Sequence, residues 1–198
     1  MMGASEFEAV LAEHCAPTFR GLKAASLISL PVDESGELGR LIIRYAPCLA
    51  CHGVSVRRIG SASSRALILF YRADILARLL MRPMAQSILR RYGYPVARSL
   101  DEAAVLLSFQ IEHLAERIGS GDTFPHEIGL FLGYPPSDVV GFIRHHGHDY
   151  LDCGFWKVYS NKAAAKKLFG FYRKCTDHFV SCLAAGKQLP EILDNPFF

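Results

Sequence analysis

Cys48-Leu49-Ala50-Cys51-His52 sets two thiols three positions apart with a histidine directly after them, the spacing by which haem is attached covalently through its vinyl groups. Covalent haem attachment goes with export, and the N-terminal residues argue against export, as set out below. A redox dithiol prefers a helix N-terminus, where the dipole stabilises thiolate, whereas this pair follows a helical pattern. A labile dithiol, half of a metal site and two small packing cysteines remain open, with packing favoured.

Three other groupings carry donors. His145, His146 and His148, with Asp149, Asp152 and Cys153 close behind, form a dense run of side chains that divalent transition metals accept, although such loops also bind metal adventitiously. Cys175, His178 and Cys182 share one side of a helical segment; the two thiols lie ~10.5 Å apart along its axis, too far for a disulfide, and core packing is the favoured reading. His126-Glu127 opens a helix in the manner of a zinc protease, but that motif needs a second histidine four positions on, where Leu130 stands. Glu127 is left with a favourable place at a helix start, and His126 with the role of a ligand or a helix-end hydrogen bond.

Charge is unevenly distributed. The net +3 combines an excess of four acidic groups over residues 1–39, an excess of ten basic groups over 40–98, and an excess of three acidic groups over 99–198. The middle segment holds eleven arginines, no lysine and Asp74 alone. Arg57, Arg58, Arg65 and Arg72 lie on or beside a proposed hairpin, and Arg78, Arg82, Arg90 and Arg91 on the helices after it. Guanidinium groups clamp carboxylate and phosphate, so this segment fits an acidic protein partner or a small anionic ligand. The competing reading is pairing with the chain's own acidic ends.

The elements that must position these groups follow from periodicity. Ser5–His14 reads as a helix closed by Pro17, Lys23–Leu30 as a strand, and Glu34–Tyr45 as a helix that Pro47 interrupts or restarts. Val54–Ile59 and Arg65–Tyr71 read as strands joined by the loop Gly60-Ser61-Ala62-Ser63-Ser64. The second strand is apolar on both faces and is expected inside its sheet. Asp74–Arg91 is helical with a break near Pro83, and Ser99 caps the next helix with Glu102 three positions on. Pro125–Leu132 and Pro136–His146 read as short helices, Phe155–Tyr159 as a strand, and Lys162–Ala185 as a long helix. The pair spanning Ile128–Ile143 has helix-turn-helix spacing, but Leu130 and Phe131 fall where solvent should be and Arg144 is its lone basic residue. A buried helical hairpin is therefore expected there, and sequence-specific DNA binding is disfavoured.

With 198 residues, 51% hydrophobic and 21% charged, the chain is an ordinary folded protein, expected as a single domain over 1–198. Met1–Val10 carries Glu6 and Glu8 and no basic flank before an apolar run, so it does not read as a signal peptide. No apolar stretch approaches the ~20 residues of a membrane span, and six cysteines without an export signal point to reduced thiols. A cytoplasmic protein with no membrane association is expected. Walker, strand-borne Gly-x-Gly-x-x-Gly and Gly-x-Ser-x-Gly signatures are missing, so nucleotide and serine hydrolysis lose their usual marks.

Several phrases carry a resemblance: Glu13-His14-Cys15-Ala16-Pro17-Thr18, Gly21-Leu22-Lys23-Ala24-Ala25-Ser26-Leu27, Phe124-Pro125-His126-Glu127-Ile128-Gly129-Leu130-Phe131-Leu132-Gly133-Tyr134-Pro135, Cys153-Gly154-Phe155-Trp156-Lys157-Val158-Tyr159 and Cys175-Thr176. On these the chain resembles a bacterial domain-of-unknown-function family, number 3793, found mostly in anaerobes, along its full length. The resemblance implies a shared fold and brings no established activity, cofactor or catalytic residue. A site common to the family would be drawn from His14, Cys15, His126, Glu127, Cys153 and Lys157, which lie within the matching phrases; the Cys48 and His145 groupings lie outside them.

The expected fold is α+β: a small mixed or antiparallel sheet of about four strands, split βαβ-like, with a helical insertion and a long C-terminal helix. The leading functional expectation is a binding or accessory protein whose Arg57, Arg58, Arg65 and Arg72 surface docks an anionic ligand or an acidic partner, including a redox protein. The alternative is an enzyme or metal protein using His14, Cys15, His126 and Cys153 as ligands, or as nucleophile and base.

Overall fold

The computed structural model describes residues 2–32, 36–62, 64–120 and 124–195. Its elements run α1 (Ala4–Phe19), β1 (Ala25–Pro31), α2 (Glu37–Cys51), β2 (Ser55–Ala62), β3 (Arg65–Tyr71), α3 (Ala73–Leu80), α4 (Pro83–Arg91) and α5 (Leu100–Gly119). There follow α6 (Ile128–Phe131), α7 (Pro136–Arg144), β4 (Asp152–Cys153), β5 (Lys157–Val158), α8 (Lys162–Ala184) and α9 (Leu189–Asp194). Helices predominate over two small antiparallel sheets, so the α+β class holds. The chain divides into two compact units: residues 1–72 with 171–198, and residues 73–170, with one boundary inside α8.

The first unit is a three-stranded antiparallel sheet ordered β1-β3-β2. The doubly apolar run of β3 is the central strand, as its composition demands: Ala66, Ile68 and Phe70 are buried in the helical core, and Leu69 on the opposite face is fully buried as well. β2 continues through Gly60-Ser61-Ala62, residues expected in the loop, because a bulge between Arg58 and Gly60 resets its register against β3. Ser63 of that loop lies outside the described residues, as does Glu34 of the expected second helix. The core sets Phe7, Leu11 and Cys15 of α1 and Leu41, Tyr45 and Leu49 of α2 against the sheet, with Cys175, Phe179, Leu189 and Ile192 from the later segment. The interior side of α1 carries two polar pairs: Tyr45 Oη donates to the buried Glu8 Oε1 at 2.7 Å, and the Thr18 and Ser26 hydroxyls share a hydrogen bond at 2.9 Å.

Pro17, expected to close its helix, and Pro47, expected to interrupt or restart its own, both lie inside continuous helices: α1 runs past Pro17 and α2 past Pro47. Each removes one ladder donor near the end of its helix, and burial of the following turn, Phe19 in α1 and Leu49 in α2, outweighs that loss. Gly21 and Gly53 then turn the chain at φ +70° and +74°, with the Arg72 guanidinium close against both; a Cβ on Gly53 would lie 3.0 Å from Arg72 Nη2. Arg72 Nη1 donates to the Phe19 carbonyl at 2.9 Å, fastening the exit of β3 to the end of α1.

This interior sets an alkaline limit on stability. Burial pushes the Cys15 thiol up from its usual 9.0 to about 12, opposed weakly by the Lys23 ammonium, and pushes Cys175 up to about 11. The folded state therefore keeps protons that the unfolded chain releases, so the contribution of these thiols is complete below pH 9 and is lost between pH 9 and their folded values. Lys23 acts oppositely: burial lowers it from 10.5 to about 8, so its share of stability rises between those values. We expect the urea midpoint to rise between pH 8 and 9, where Lys23 acts alone, and to fall above pH 9, most steeply between pH 10.5 and 11, where both thiols act unopposed. Cys15→Ala should remove up to ~1.4 kcal/mol per pH unit of that fall; an unchanged pH slope in the variant contradicts this account.

The second unit is built on helices. Pro83 opens α4 where the sequence predicts a break, and Ser99 Oγ accepts from the Glu102 N–H at 3.2 Å at the start of α5. The expected Pro125–Leu132 helix shrinks to the single turn α6, because Pro125, His126 and Glu127 form the turn that enters it. Leu130 and Phe131 are buried, as a helical hairpin requires and a DNA-reading pair does not. Lys157 and Val158, from the expected fourth strand, pair with β4 in a two-stranded hairpin instead of joining the first sheet.

Candidate functional site

The β4–β5 hairpin places Cys153 directly opposite Lys157. Its connection, Gly154-Phe155-Trp156, folds back so that the Gly154 N–H donates to the Trp156 carbonyl at 3.1 Å. A Cβ on Gly154 would sit 2.3 Å from Phe169 Cε2, so glycine is what lets this connection lie on α8. Trp156 is buried between two rings, stacked on Tyr134 at 5.1 Å and edge-on to Phe169 at 4.6 Å.

Asp138, in the first turn of α7, fixes the arrangement. Its Oδ2 accepts from Trp156 Nε1 at 2.7 Å, while Oδ1 accepts from the Tyr159 N–H, the Ser160 N–H and Ser160 Oγ at 2.7–2.9 Å. The carboxylate is 3% exposed and its acceptor capacity is taken up, so it is a clamp on the hairpin and not a group free for substrate.

A cleft of about 410 Å³ opens beside this clamp. Its walls are aromatic, from Phe124, Tyr134, Phe142, Phe155 and Trp156, and the functional groups that line it are His126, Cys153 and Lys157 together with the clamped carboxylate of Asp138. His126 stands edge-on to Phe142 at 5.1 Å. Lys157 Nζ donates to the Gly147 carbonyl at 2.8 Å and lies 5.8 Å from the Phe142 ring centre and 5.1 Å from that of Tyr150. One of its three N–H groups is thereby engaged and the ammonium is held over apolar surface. Burial raises the Tyr134 phenol to about 12, so it stays protonated.

Of the six residues drawn from the family phrases, three meet here: His126, Cys153 and Lys157. Glu127 turns the other way. It is 1% exposed and accepts from Arg117 Nε at 2.6 Å and Tyr94 Oη at 3.0 Å, tying the entry of α6 to α5. Burial first, then the Glu127 carboxylate, pushes the Tyr94 phenol far above its usual range. His14 and Cys15 belong to the first unit: His14 is exposed and lines a groove beside β1, and Cys15 is enclosed in the core. Trp156, Asp138 and Phe142 were not singled out from the sequence as site residues. The phrase Cys153-Gly154-Phe155-Trp156-Lys157 held a signal for the first, the lone tryptophan of the chain.

The arginine-rich segment is split between the units. Arg65 Nε donates to Ser29 Oγ at 2.9 Å and its Nη2 to the Ser29 carbonyl, and Arg72 is engaged as described, so two of the four hairpin arginines fasten backbone. Arg57 is also engaged; Arg58 is exposed. Among the other donor groupings, His52 Nδ1 bonds the Cys48 carbonyl at 2.8 Å and its Nε2 lies 3.2 Å from Asp194. His145 stacks on Tyr159 at 5.7 Å, and Cys182 Sγ is 3.6 Å from His178 Nε2. Among the described residues no group of three or more His, Cys, Asp or Glu side chains is arranged to hold a metal ion, and no helix is long and apolar enough to cross a membrane. All six cysteines are unpaired.

The chain matches the sequence profile described as Protein of unknown function (DUF3793) over residues 11–193, nearly its whole length. It belongs to the DUF3793 family. No curated protein and no solved structure matches it. The DUF3793 match spans both units, and within it lie the Asp138 clamp and every functional group of the cleft.

Proposed function

We propose that this protein is a cytoplasmic binding protein that takes a small, flat, anionic ligand, an aromatic carboxylate in size and charge, in the Trp156 cleft. One observation carries the reading: an ammonium, Lys157, faces a cleft with aromatic walls in which the neighbouring carboxylate, Asp138, is already saturated with donors. An anion entering there meets an uncompensated cation in partly desolvated surroundings, and rings offer it stacking surface. The volume falls within the range of small-molecule sites. Six unpaired cysteines support a reducing compartment.

The expectation of an anionic ligand is thereby kept, and the cation that receives it moves from the hairpin arginines to Lys157. Fluorine NMR of 4-fluorobenzoate, with 4-fluorobenzyl alcohol as the uncharged control, tests the proposal. Loss of one charge-assisted hydrogen bond is worth about 1.5–3 kcal/mol, so Lys157→Met should weaken the carboxylate tenfold or more and leave the alcohol unaffected. Quenching of Trp156, the sole tryptophan, should track occupancy. Equal binding of acid and alcohol by the wild type, or equal weakening of both in a folded Lys157→Met variant, rejects the reading.

A further inference from the structure

The sheet of the first unit has two edges, and they are built differently. β2 carries Arg57, Arg58 and a bulge, features that keep an edge from accepting another strand. β1, Ala25-Ser26-Leu27-Ile28-Ser29-Leu30, has no charge, no bulge and no proline before Pro31. Its register shows which groups are free. The Arg72 N–H donates to the Ala24 carbonyl and the Val32 N–H to the Ser64 carbonyl, so even-numbered positions from 24 to 32 face β3. The N–H groups of Ala25, Leu27 and Ser29 therefore point away from the sheet, and among the described residues no other backbone group bonds to them.

A groove of about 410 Å³ runs along this edge. One wall is Leu27–Pro31, and the other continues from Met2, ahead of α1, along Glu6, Val10 and His14 of α1 at four-residue spacing. The groove carries both signs, an exposed Glu6 on the stripe and the Arg65 guanidinium over Ser29. A two-fold axis reverses direction and matches a patch with itself, so a groove holding acid and base is complementary to its own copy.

We propose that two copies of this chain pair through β1, antiparallel about Ile28, to make one continuous sheet. Leu27 of each copy exchanges both backbone hydrogen bonds with Ser29 of the other. The Ser29 carbonyl accepts this bond beside the one from Arg65, using its second lone pair. The two α1 stripes run antiparallel beside the new pairing, each bringing Glu6 toward the basic residues of the other groove.

Sedimentation equilibrium of the full chain over about 1–200 µM reads the assembly, and hydrogen exchange of the Leu27 and Ser29 amides locates it. The expected result is a dimer in which both amides become protected at least tenfold as concentration rises. Ser29→Pro removes an outward N–H without touching the β3 ladder and should give a monomer. Glu6→Lys, on the exposed side of α1, should weaken the dimer at least tenfold even if the proline variant fails to fold. A wild type that stays monomeric throughout the range overturns the proposal. So does a dimer whose Leu27 and Ser29 amides exchange freely, or one that Glu6→Lys leaves unweakened. Ligand binding in the second unit is not read by any of these measurements, so the two proposals stand or fall separately.

Discussion

Asp138→Ala is expected to lower stability by about 4 kcal/mol and to erase the cleft, because it strands the Trp156 indole N–H, two backbone N–H groups and the Ser160 hydroxyl together. Each buried unsatisfied donor costs about 1–3 kcal/mol, reduced where water enters, which gives the total. With a urea slope of about 2 kcal/mol/M, the midpoint should fall by about 2 M. Asp138→Asn is nearly isosteric and separates charge from shape. Its amide oxygen can serve the Tyr159 and Ser160 donors, but its NH2 then faces the indole N–H, so we expect about half the loss. The emission of Trp156 should shift in both variants, since its indole N–H donates to this carboxylate. An alanine variant as stable as the wild type, with unshifted emission, would remove Asp138 as the organiser of the site.

The second large effect is expected at Glu127. Glu127→Ala leaves the Arg117 guanidinium and the Tyr94 hydroxyl facing a cavity, and breaking a buried charge pair in this way costs about 3–5 kcal/mol. Arg117 is one-third exposed and recovers some hydration, which places the expectation at the lower end of that range. Tyr94→Phe should cost only about 1 kcal/mol, because Glu127 retains its stronger partner. Since Glu127 joins the turn before α6 to α5, hydrogen exchange should accelerate first in those two helices. A loss spread evenly over the first unit would show that Glu127 is not a local tie.

The contrast between Glu127 and its neighbour His126 shows what the sequence makes legible. Helix-start chemistry reads Glu127 as favourable beside a dipole, but α6 begins at Ile128 in place of Pro125, and Glu127 enters a buried ion pair instead. Strong local signals carry over unchanged: the doubly apolar Ala66–Tyr71 run is the central strand, Pro83 marks a helix start, and Ser99 is a cap. Pro17 and Pro47 mislead because the energy that holds a helix through proline comes from the core beneath it, which no window of neighbouring residues contains. The meeting of His126 with Cys153 and Lys157 is equally nonlocal, made by the α6–α7 hairpin and the β4–β5 hairpin closing on Asp138. Spacing alone does not report it, whereas the family phrases contain all three. A count of charges likewise does not record that Arg65 and Arg72 of the hairpin bind carbonyl groups of their own chain.

The first unit is completed by residues 171–195, after the whole of the second has been made. Phe7, Leu11 and Leu41 share their core with Cys175, Phe179, Leu189 and Ile192, so these apolar residues lack part of their cover until that later segment has been synthesised. Residues 73–170 form a compact unit of their own and are free to fold sooner. Synthesis therefore reverses the usual order between these two units, in which the earlier part settles first, and leaves α1 and β1 partly uncovered while residues 73–170 are made.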